Sequence, residues 1–442
     1  MSLQSCLRGF WRCVPVVVAL SAQTAIGQDV VGQWQGILPV QGGMRMIVKV
    51  TRGESGQLGA TLVSVDRSTE EQGLRDVTLQ GKFFRFGFEL ASDHYEGTVS
   101  EDGTAISGRW FGSVHPDTPY PFDLHLATDA TRWTVEAPPH STQSVTVEDG
   151  VKLEVFDWGG KGRPLILLAG LGYDARTFDK IAPKLAASCH VYGVSRRGFG
   201  ESSAPEPTAN NYTADHLGDD VLAVINALKL DGPVLAGHSI AGEELSSVGS
   251  RHPEKVAGLI YLDAAYGYAF YDREHSDIDI DGNATMRKLA RLLADPPPQE
   301  GRRLARELLQ DDLPQLTKSL GQFRELLEAI PDADAATQPD TIKVRITRAI
   351  VAGEQKYTDI RCPVLAIYAV APVATDGKAA SALEQVLRTQ QATQAKAFQA
   401  GVPSAKVVCL QNANHFVFSS NEAEVVAQIR DFLATLPPAN QK

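Results

Sequence analysis

The sequence predicts an α/β protein: a doubly wound, mostly parallel sheet with a helical cap, preceded by a small antiparallel all-β domain. Three observations carry this. Between residues 28 and 128, apolar and polar residues alternate with period two. From Val145 onward, short Val/Ile/Leu runs without alternation recur between helical segments, as expected of parallel strands buried on both faces. A stretch over 129–144, containing Pro138-Pro139 and several Ser and Thr, separates the two patterns as a linker. A length of 442 residues accommodates both units. Gly (38) and Pro (24) are too few and too dispersed for a collagen or a disordered linker protein. A net charge of −11 argues against a nucleic-acid binder, which needs a basic face.

The first 27 residues have the pattern of a secretory leader. Arg8 and Arg12 are the only charges before Asp29; an apolar run from Cys13 to Leu20 follows, then the small-x-small site Ala25-Ile26-Gly27. The run is short for a membrane span, which needs roughly 18 apolar residues. The expectation is a secreted or periplasmic chain without stable membrane insertion. Beyond the leader, Cys189, Cys362 and Cys409 each sit in an apolar run and are expected to be buried hydrophobes rather than disulfide partners.

Within 28–128 the alternating runs are Met44–Val50, Gly59–Val65, Lys82–Leu90, Tyr95–Ser100, Ala105–Phe111 and Tyr120–Leu126, with a hairpin signal at Glu101-Asp-Gly-Thr104. This spacing suits a small antiparallel barrel or sandwich. The segments Gly32-Gln-Trp-Gln-Gly36 and Ile106-Ser-Gly-Arg-Trp-Phe111 resemble the small β-barrel domain fused ahead of some secreted bacterial hydrolases; no catalytic constellation assembles there. Over 145–442 a hairpin-like pair (Ser144–Val147, Lys152–Asp157) precedes runs at Pro164–Ala169, His190–Ser195, Pro233–Gly237, Ala257–Asp263, Pro363–Val370 and Lys406–Gln411. An insert at about 264–359 has helix-period segments at Thr285–Leu293, Arg302–Leu309 and Gln315–Ile330, and is the candidate cap.

The segment Pro233-Val-Leu-Ala-Gly-His-Ser-Ile-Ala-Gly242 is an apolar strand, a tight turn and a helix start. Small neighbours let backbones pass close, so the turn exposes the Ser239 hydroxyl, and the helix N-terminus behind it favours negative charge. On these residues the chain from about Val145 to Leu436 resembles an α/β-hydrolase, with Ala241 in the last place of the family's Gly-x-Ser-x-Gly turn. The resemblance implies Ser239 as nucleophile and His415, in Asn412-Ala-Asn-His-Phe416, as base. In Leu167-Leu-Ala-Gly-Leu-Gly172, Ala169 replaces the family's His; by position, the backbone amides of Leu171 and Ile240 would form the oxyanion hole. Ser195-Arg-Arg-Gly-Phe-Gly-Glu-Ser202 resembles the family's Asp-x-Arg-Gly-x-Gly-x-Ser turn and is expected to be structural, as is His238.

Two carboxylates compete for the third role. Asp263 ends the sixth run, where some family members keep the acid; Asp376 lies some residues past the usual place after the seventh. The sequence favours Asp263 and leaves Asp376 open. Glu243, one turn after Ser239, is either an active-site group or a helix N-terminal acid. Asp277-Ile-Asp-Ile-Asp-Gly282 mimics a calcium loop, but Lys288 stands where the bidentate Glu belongs, so a solvated acidic stretch is expected, with no metal site and no cofactor. The expected activity is hydrolysis of a small-molecule carboxylic ester, apolar or aromatic, through an acyl-enzyme, with Tyr266, Tyr268, Phe270 and Tyr271 candidate lining residues. Lactonase, amidase or aminopeptidase chemistry on the same groups, or a non-catalytic binding role, are the alternatives. The sequence leaves the oligomeric state open.

Overall fold

A computed structural model describes residues 29–39, 43–65, 71–88, 93–112, 115–133, 139–208, 210–329, 340–370 and 382–438. The expected leader and Asp376 lie outside the described residues.

The N-terminal strands are β1 (Gly32–Leu38), β2 (Met44–Arg52), β3 (Leu58–Ser64), β4 (Gln72–Gln80), β5 (Phe83–Phe88), β6 (His94–Val99), β7 (Ala105–Gly112), β8 (His115–Pro121) and β9 (Leu124–Leu126). Each of β1 to β7 pairs antiparallel with the next, and β9 bridges β7 back to β1, closing an eight-strand barrel; β8 adds to the free end of β7. Closure leaves few strand edges open. The inward positions are aromatic: Trp34, Phe84, Phe86, Tyr95 and Phe122 are fully buried, and the Phe86 and Tyr95 rings stack at 4.9 Å. Two details differ from the expected runs. Tyr120–Leu126 divides into β8 and β9. Strand β4 carries no run among those predicted: its residues are at most half-buried, and a register shift between Arg75 and Thr78, with Asp76 at φ +53°, breaks its alternation.

The second sheet holds β10 (Ser141–Glu148), β11 (Val151–Gly160), β12 (Pro164–Leu168), β13 (His190–Val194), β14 (Val234–His238), β15 (Gly258–Leu262), β16 (Val364–Val370) and β17 (Ala405–Gln411), in the order β10-β11-β13-β12-β14-β15-β16-β17. The pairs β10–β11 and β11–β13 are antiparallel and the rest parallel. Strand β10 takes up the last residues of the expected linker. Alternate strand residues serve two cores: Leu165, Leu167, Ile260 and Ile367 pack with Phe178, Ile429 and Phe432 on one face, and Ile166, Leu168, Leu235 and Tyr261 with Val221, Leu245 and Phe398 on the other. The strand order reverses at β12, so crossovers from β12 and β14 diverge and leave a crevice at the C-terminal strand ends.

Cys189 and Cys362 are buried as expected, but Cys409 is exposed. Its strand, β17, is the sheet edge, with a single ladder neighbour and thinner cover. The insert is helical at Ile278–Leu293, Pro298–Glu307, Leu313–Ala329 and Ile342–Ala352, with a π turn at Leu308–Asp312 between the second and third. Its first helix starts well before Thr285, because the Asp277 side chain caps it by accepting from the Asp279 amide at 2.7 Å. The stretch expected to be solvated is therefore a helix start. Asp281 within it is buried, accepting hydrogen bonds from Tyr271 Oη (2.9 Å) and Ser319 Oγ (2.5 Å) and pairing with Lys356 Nζ at 2.6 Å.

Gly242, at the start of the helix Gly242–Arg251, marks the tightest approach near the crevice. A Cβ there would lie 2.0 Å from the Ala264 carbonyl oxygen, which is backbone and has little room to yield. Gly242→Ala is expected to destabilise the protein by about 1–3 kcal/mol in urea unfolding; an unchanged midpoint would show that the two segments separate freely.

Candidate active site

Three strands of the parallel sheet end in residues with left-handed backbone. Ser239 follows β14 at φ +55°, Asp263 follows β15 at φ +48°, and Asn412 follows β17 at φ +55°. Non-glycine residues rarely adopt this conformation, and such strain concentrates at functional sites. Here it turns each chain sharply at the same edge of the sheet, where the strand order places β14, β15, β16 and β17 side by side.

Asp263 is the anchor. Its backbone N–H donates to the Ile367 carbonyl at 2.7 Å, extending the β15–β16 ladder by one bond. Its carboxyl group is almost fully buried. Oδ1 accepts from Tyr266 Oη at 2.7 Å and from the Ala369 amide at 2.9 Å, while Oδ2 lies 2.7 Å from His415 Nδ1. A carboxylate only accepts, so this contact puts the imidazole proton on Nδ1 and leaves Nε2 with its lone pair. The His415 ring is about half exposed, its side chain retaining 43% of its accessibility, so Nε2 can meet a ligand. The loop behind it is fixed by Asn414 Oδ1, which accepts from the Phe416 amide at 2.9 Å.

His238 takes the structural part expected of it. Its Nε2 donates to the His415 carbonyl oxygen at 2.9 Å, and the two rings lie 4.6 Å apart. The residue before Ser239 thus holds the backbone of His415. On the other side, Gly170 presses on the same turn: a Cβ there would meet His238 Nδ1 at 2.8 Å and Ser239 Cβ at 3.1 Å. This contact brings the Leu171 loop against Ser239. Ile240 lies in the 3-10 turn that opens the following helix, where the first amides have no partner within the helix. Leu171, Ile240 and Tyr268 pack together with Ile346 and Ala349 of the helical insert.

The Tyr268 phenol lies near the Ser239 hydroxyl, which among the described residues forms no hydrogen bond to the His415 ring. Burial, with the Asp263 and Glu354 carboxylates adding to it, pushes the Tyr268 hydroxyl well above its ordinary value. It therefore stays a neutral donor. The four aromatic residues expected to line the pocket divide: Tyr266 and Tyr268 reach the site, Phe270 packs on Phe398 at 5.8 Å between ring centroids, and Tyr271 bonds Asp281.

The segment after β13 is structural. Ser195 Oγ donates to Glu154 Oε2 at 2.8 Å, and Arg197 makes a bidentate pair with Asp220, both bonds 2.6 Å. Arg196 is buried beneath the elbow helix, its Nε donating to Glu244 Oε1 at 2.5 Å. Sequence reasoning missed Glu354, which carries no motif; it follows the insert's last helix and is buried by tertiary packing alone. Glu243 lies in the first turn of the helix Gly242–Arg251, as a helix N-terminal acid would, but it is fully buried, and burial, then Glu244, push its carboxyl well above the ordinary range.

The profile of the alpha/beta hydrolase family matches residues 165–428. The chain is 29% identical over 147 residues to the 2-hydroxymuconate semialdehyde hydrolase of Pseudomonas sp. (strain CF600), covering 33% of this chain and 50% of that protein. It is 31% identical over 127 residues to a bifunctional esterase/perhydrolase of Acinetobacter calcoaceticus, covering 27% and 44%. The matched part spans about half the length of the curated relatives. Among solved structures, a bromoperoxidase from Bacillus anthracis is 17% identical, covering 66% of this chain and 100% of that one, with a TM-score of 0.44.

Burial, then the charges of Asp277 and Asp279, push the Glu354 carboxyl up from 4.5 to about 8. Between these values the unfolded chain has lost the proton and the folded chain keeps it, so stability declines as pH rises through the window. Glu354→Gln removes this contribution. In urea unfolding at pH 5 and pH 8, the variant's stability relative to the parent should increase with pH, by on the order of a few kcal/mol at most. Parallel pH dependences would contradict the burial argument.

Proposed function

The chain belongs to the alpha/beta hydrolase family, and on that footing we propose that it is a serine hydrolase cleaving a small-molecule carboxylic ester through Ser239, His415 and Asp263. The observation that carries this reading is the 2.7 Å contact of His415 Nδ1 with the buried Asp263 carboxyl, at the sheet edge where Ser239 is turned out at φ +55°. The esterase and hydrolase named among its relatives support it.

The chemistry follows from the groups in place. With a substrate in the crevice, the Ser239 hydroxyl turns to His415 Nε2. Ser239 Oγ then attacks the acyl carbon as His415 takes its proton, and Asp263 stabilises the imidazolium and holds its orientation. The amides of Leu171 and Ile240 receive the oxyanion. His415 returns the proton to the departing alkoxide oxygen, leaving an acyl-serine. Water, deprotonated by His415, attacks that carbonyl; the acid departs and Ser239 regains its proton. Tyr266 acts through Asp263, and its hydroxyl is a positioning group. The apolar cluster of Leu171, Ile240 and Ile346 beside the elbow supports an apolar acyl part. Export through the leader in residues 1–27, to the periplasm or the exterior, completes the proposal.

A fluorophosphonate probe should label the parent protein on Ser239, and Ser239→Ala should abolish labelling. Absence of labelling in the folded parent would favour a non-catalytic binding role instead. With p-nitrophenyl esters, Asp263→Asn is expected to reduce kcat by roughly 10⁴-fold, as loss of a triad carboxylate does elsewhere. Tyr266→Phe removes one hydrogen bond to a charged group and should lower kcat/KM by about 10-fold. An unaffected Tyr266→Phe enzyme would show that the Ala369 amide suffices to hold Asp263.

A further inference from the structure

The loop 169–175 after β12 carries the Leu171 amide, and its two ends are held by adjacent residues of another segment. At the near end, Arg196 Nη2 donates to the Ala169 carbonyl oxygen at 3.2 Å. At the far end, the Ala175 amide donates to Ser195 Oγ at 3.2 Å. Ser195 and Arg196 directly follow β13, which pairs parallel with β12. Between the two anchors the chain turns on itself: the Tyr173 amide donates to the Gly170 carbonyl oxygen at 3.3 Å, with Gly172 at φ +84°.

Ser195 is itself held from several sides. It is fully buried; its amide donates to the Glu154 carbonyl oxygen at 3.0 Å, and its carbonyl oxygen accepts from Ser202 Oγ at 2.7 Å. Its hydroxyl proton goes to Glu154 Oε2 at 2.8 Å, which leaves the oxygen free to accept from Ala175. The Glu154 charge is met by Arg176, which bridges Glu154 Oε1 and Asp174 Oδ2, both at 3.0 Å. Arg196 is buried and has a second attachment: its Nε donates to Glu244 Oε1 at 2.5 Å, in the first turn of the helix that follows the Ser239 elbow. One guanidinium thus spans the two chain segments that bear the Leu171 and Ile240 amides. Its planar fork fixes the angle between its donors, so it acts as a rigid spacer.

We propose that Ser195 and Arg196 are positioning residues that set the spacing of the Leu171 and Ile240 amides, so that both meet the oxyanion of the acyl intermediates. Such donors are effective only when their backbone is held in place before the charge develops. Gly170 and Gly172 flank Leu171 and lend the loop conformational freedom. Gly170 has no room for a side chain against His238 and Ser239, so the rigidity comes from outside the loop. This inference rests on the serine-hydrolase reading and deepens it at the same site.

The test compares full-length Ser195→Ala and Arg196→Lys with the parent, using a p-nitrophenyl ester and two ketones of the same acyl chain. With the trifluoromethyl ketone, Ser239 Oγ bonds to the carbonyl carbon, its proton passes to His415, and the ketone oxygen becomes the oxyanion. The methyl ketone serves as the ground-state analogue, bound without that addition. In both variants kcat/KM should fall at least about 10-fold, and affinity for the trifluoromethyl ketone should fall with it. Affinity for the methyl ketone should stay within about 2-fold of the parent's. Thermal unfolding reports whether each variant is folded, and Ser195→Ala, which removes a single oxygen, keeps the test decisive if Arg196→Lys unfolds. Equal losses for the two ketones, or parental kcat/KM and trifluoromethyl ketone affinity in a folded variant, would overturn the positioning role while leaving the hydrolase standing. A parent protein that neither cleaves esters nor reacts with a fluorophosphonate would overturn the hydrolase reading itself.

Discussion

The contact between Asp263 Oδ2 and His415 Nδ1 is where the constraints of the C-terminal half of the chain meet. It joins residues 152 positions apart, so no local propensity produces it. It exists because β15, β16 and β17 run parallel in consecutive positions and end at one edge. The Asp263 amide continues the ladder to Ile367, and the Ala369 amide of β16 donates to its carboxyl. The buried carboxyl is thus held by backbone on both sides before the imidazole reaches it. Its orientation is a property of the sheet, to which the Tyr266 hydroxyl adds.

The same edge explains why the site tolerates strained backbone. Ser239, Asp263 and Asn412 each adopt a left-handed conformation directly after a strand. Such strain persists only where surrounding structure over-determines it. Here the elbow is clamped from several directions: Gly170 against the Ser239 side chain, Gly242 against the Ala264 carbonyl, and His238 onto the His415 backbone. The glycines act by what they lack, since a methyl group at either position would collide with a neighbour that positions a reacting group.

Much of this was legible in the sequence because parallel strands buried on both faces leave an unmistakable signal. Leu-Ile-Leu-Leu at 165–168 and Val-Leu-Ala-Gly at 234–237 have no polar face to alternate, and the motif residues follow directly at their ends. Asp263 was legible because it closes a run of the same kind. The features that escaped depend on cover rather than on pattern. Strand β4 lacks buried residues and carries a bulge, so its periodicity is lost. Cys409 sits in an apolar run, but its strand is an edge. Asp281 looked solvated because three acids stand close together, whereas the helix starting at Asp277 rolls it inward onto Lys356 and Ser319. Glu354 belongs to no motif, and its burial is decided by elements distant in sequence. Local chemistry announces strands and turns; the environment of a single carboxyl group emerges only from packing.

The identity of the histidine's carboxylate partner is the central claim, and proton NMR reads it directly. An imidazole N–H bonded to a carboxylate gives a resonance shifted far downfield of the amide envelope. The structure predicts one such signal from His415 Nδ1–H that disappears in Asp263→Asn and persists in Asp376→Asn. A signal that survives loss of the 263 carboxylate and vanishes with that at 376 would contradict the account.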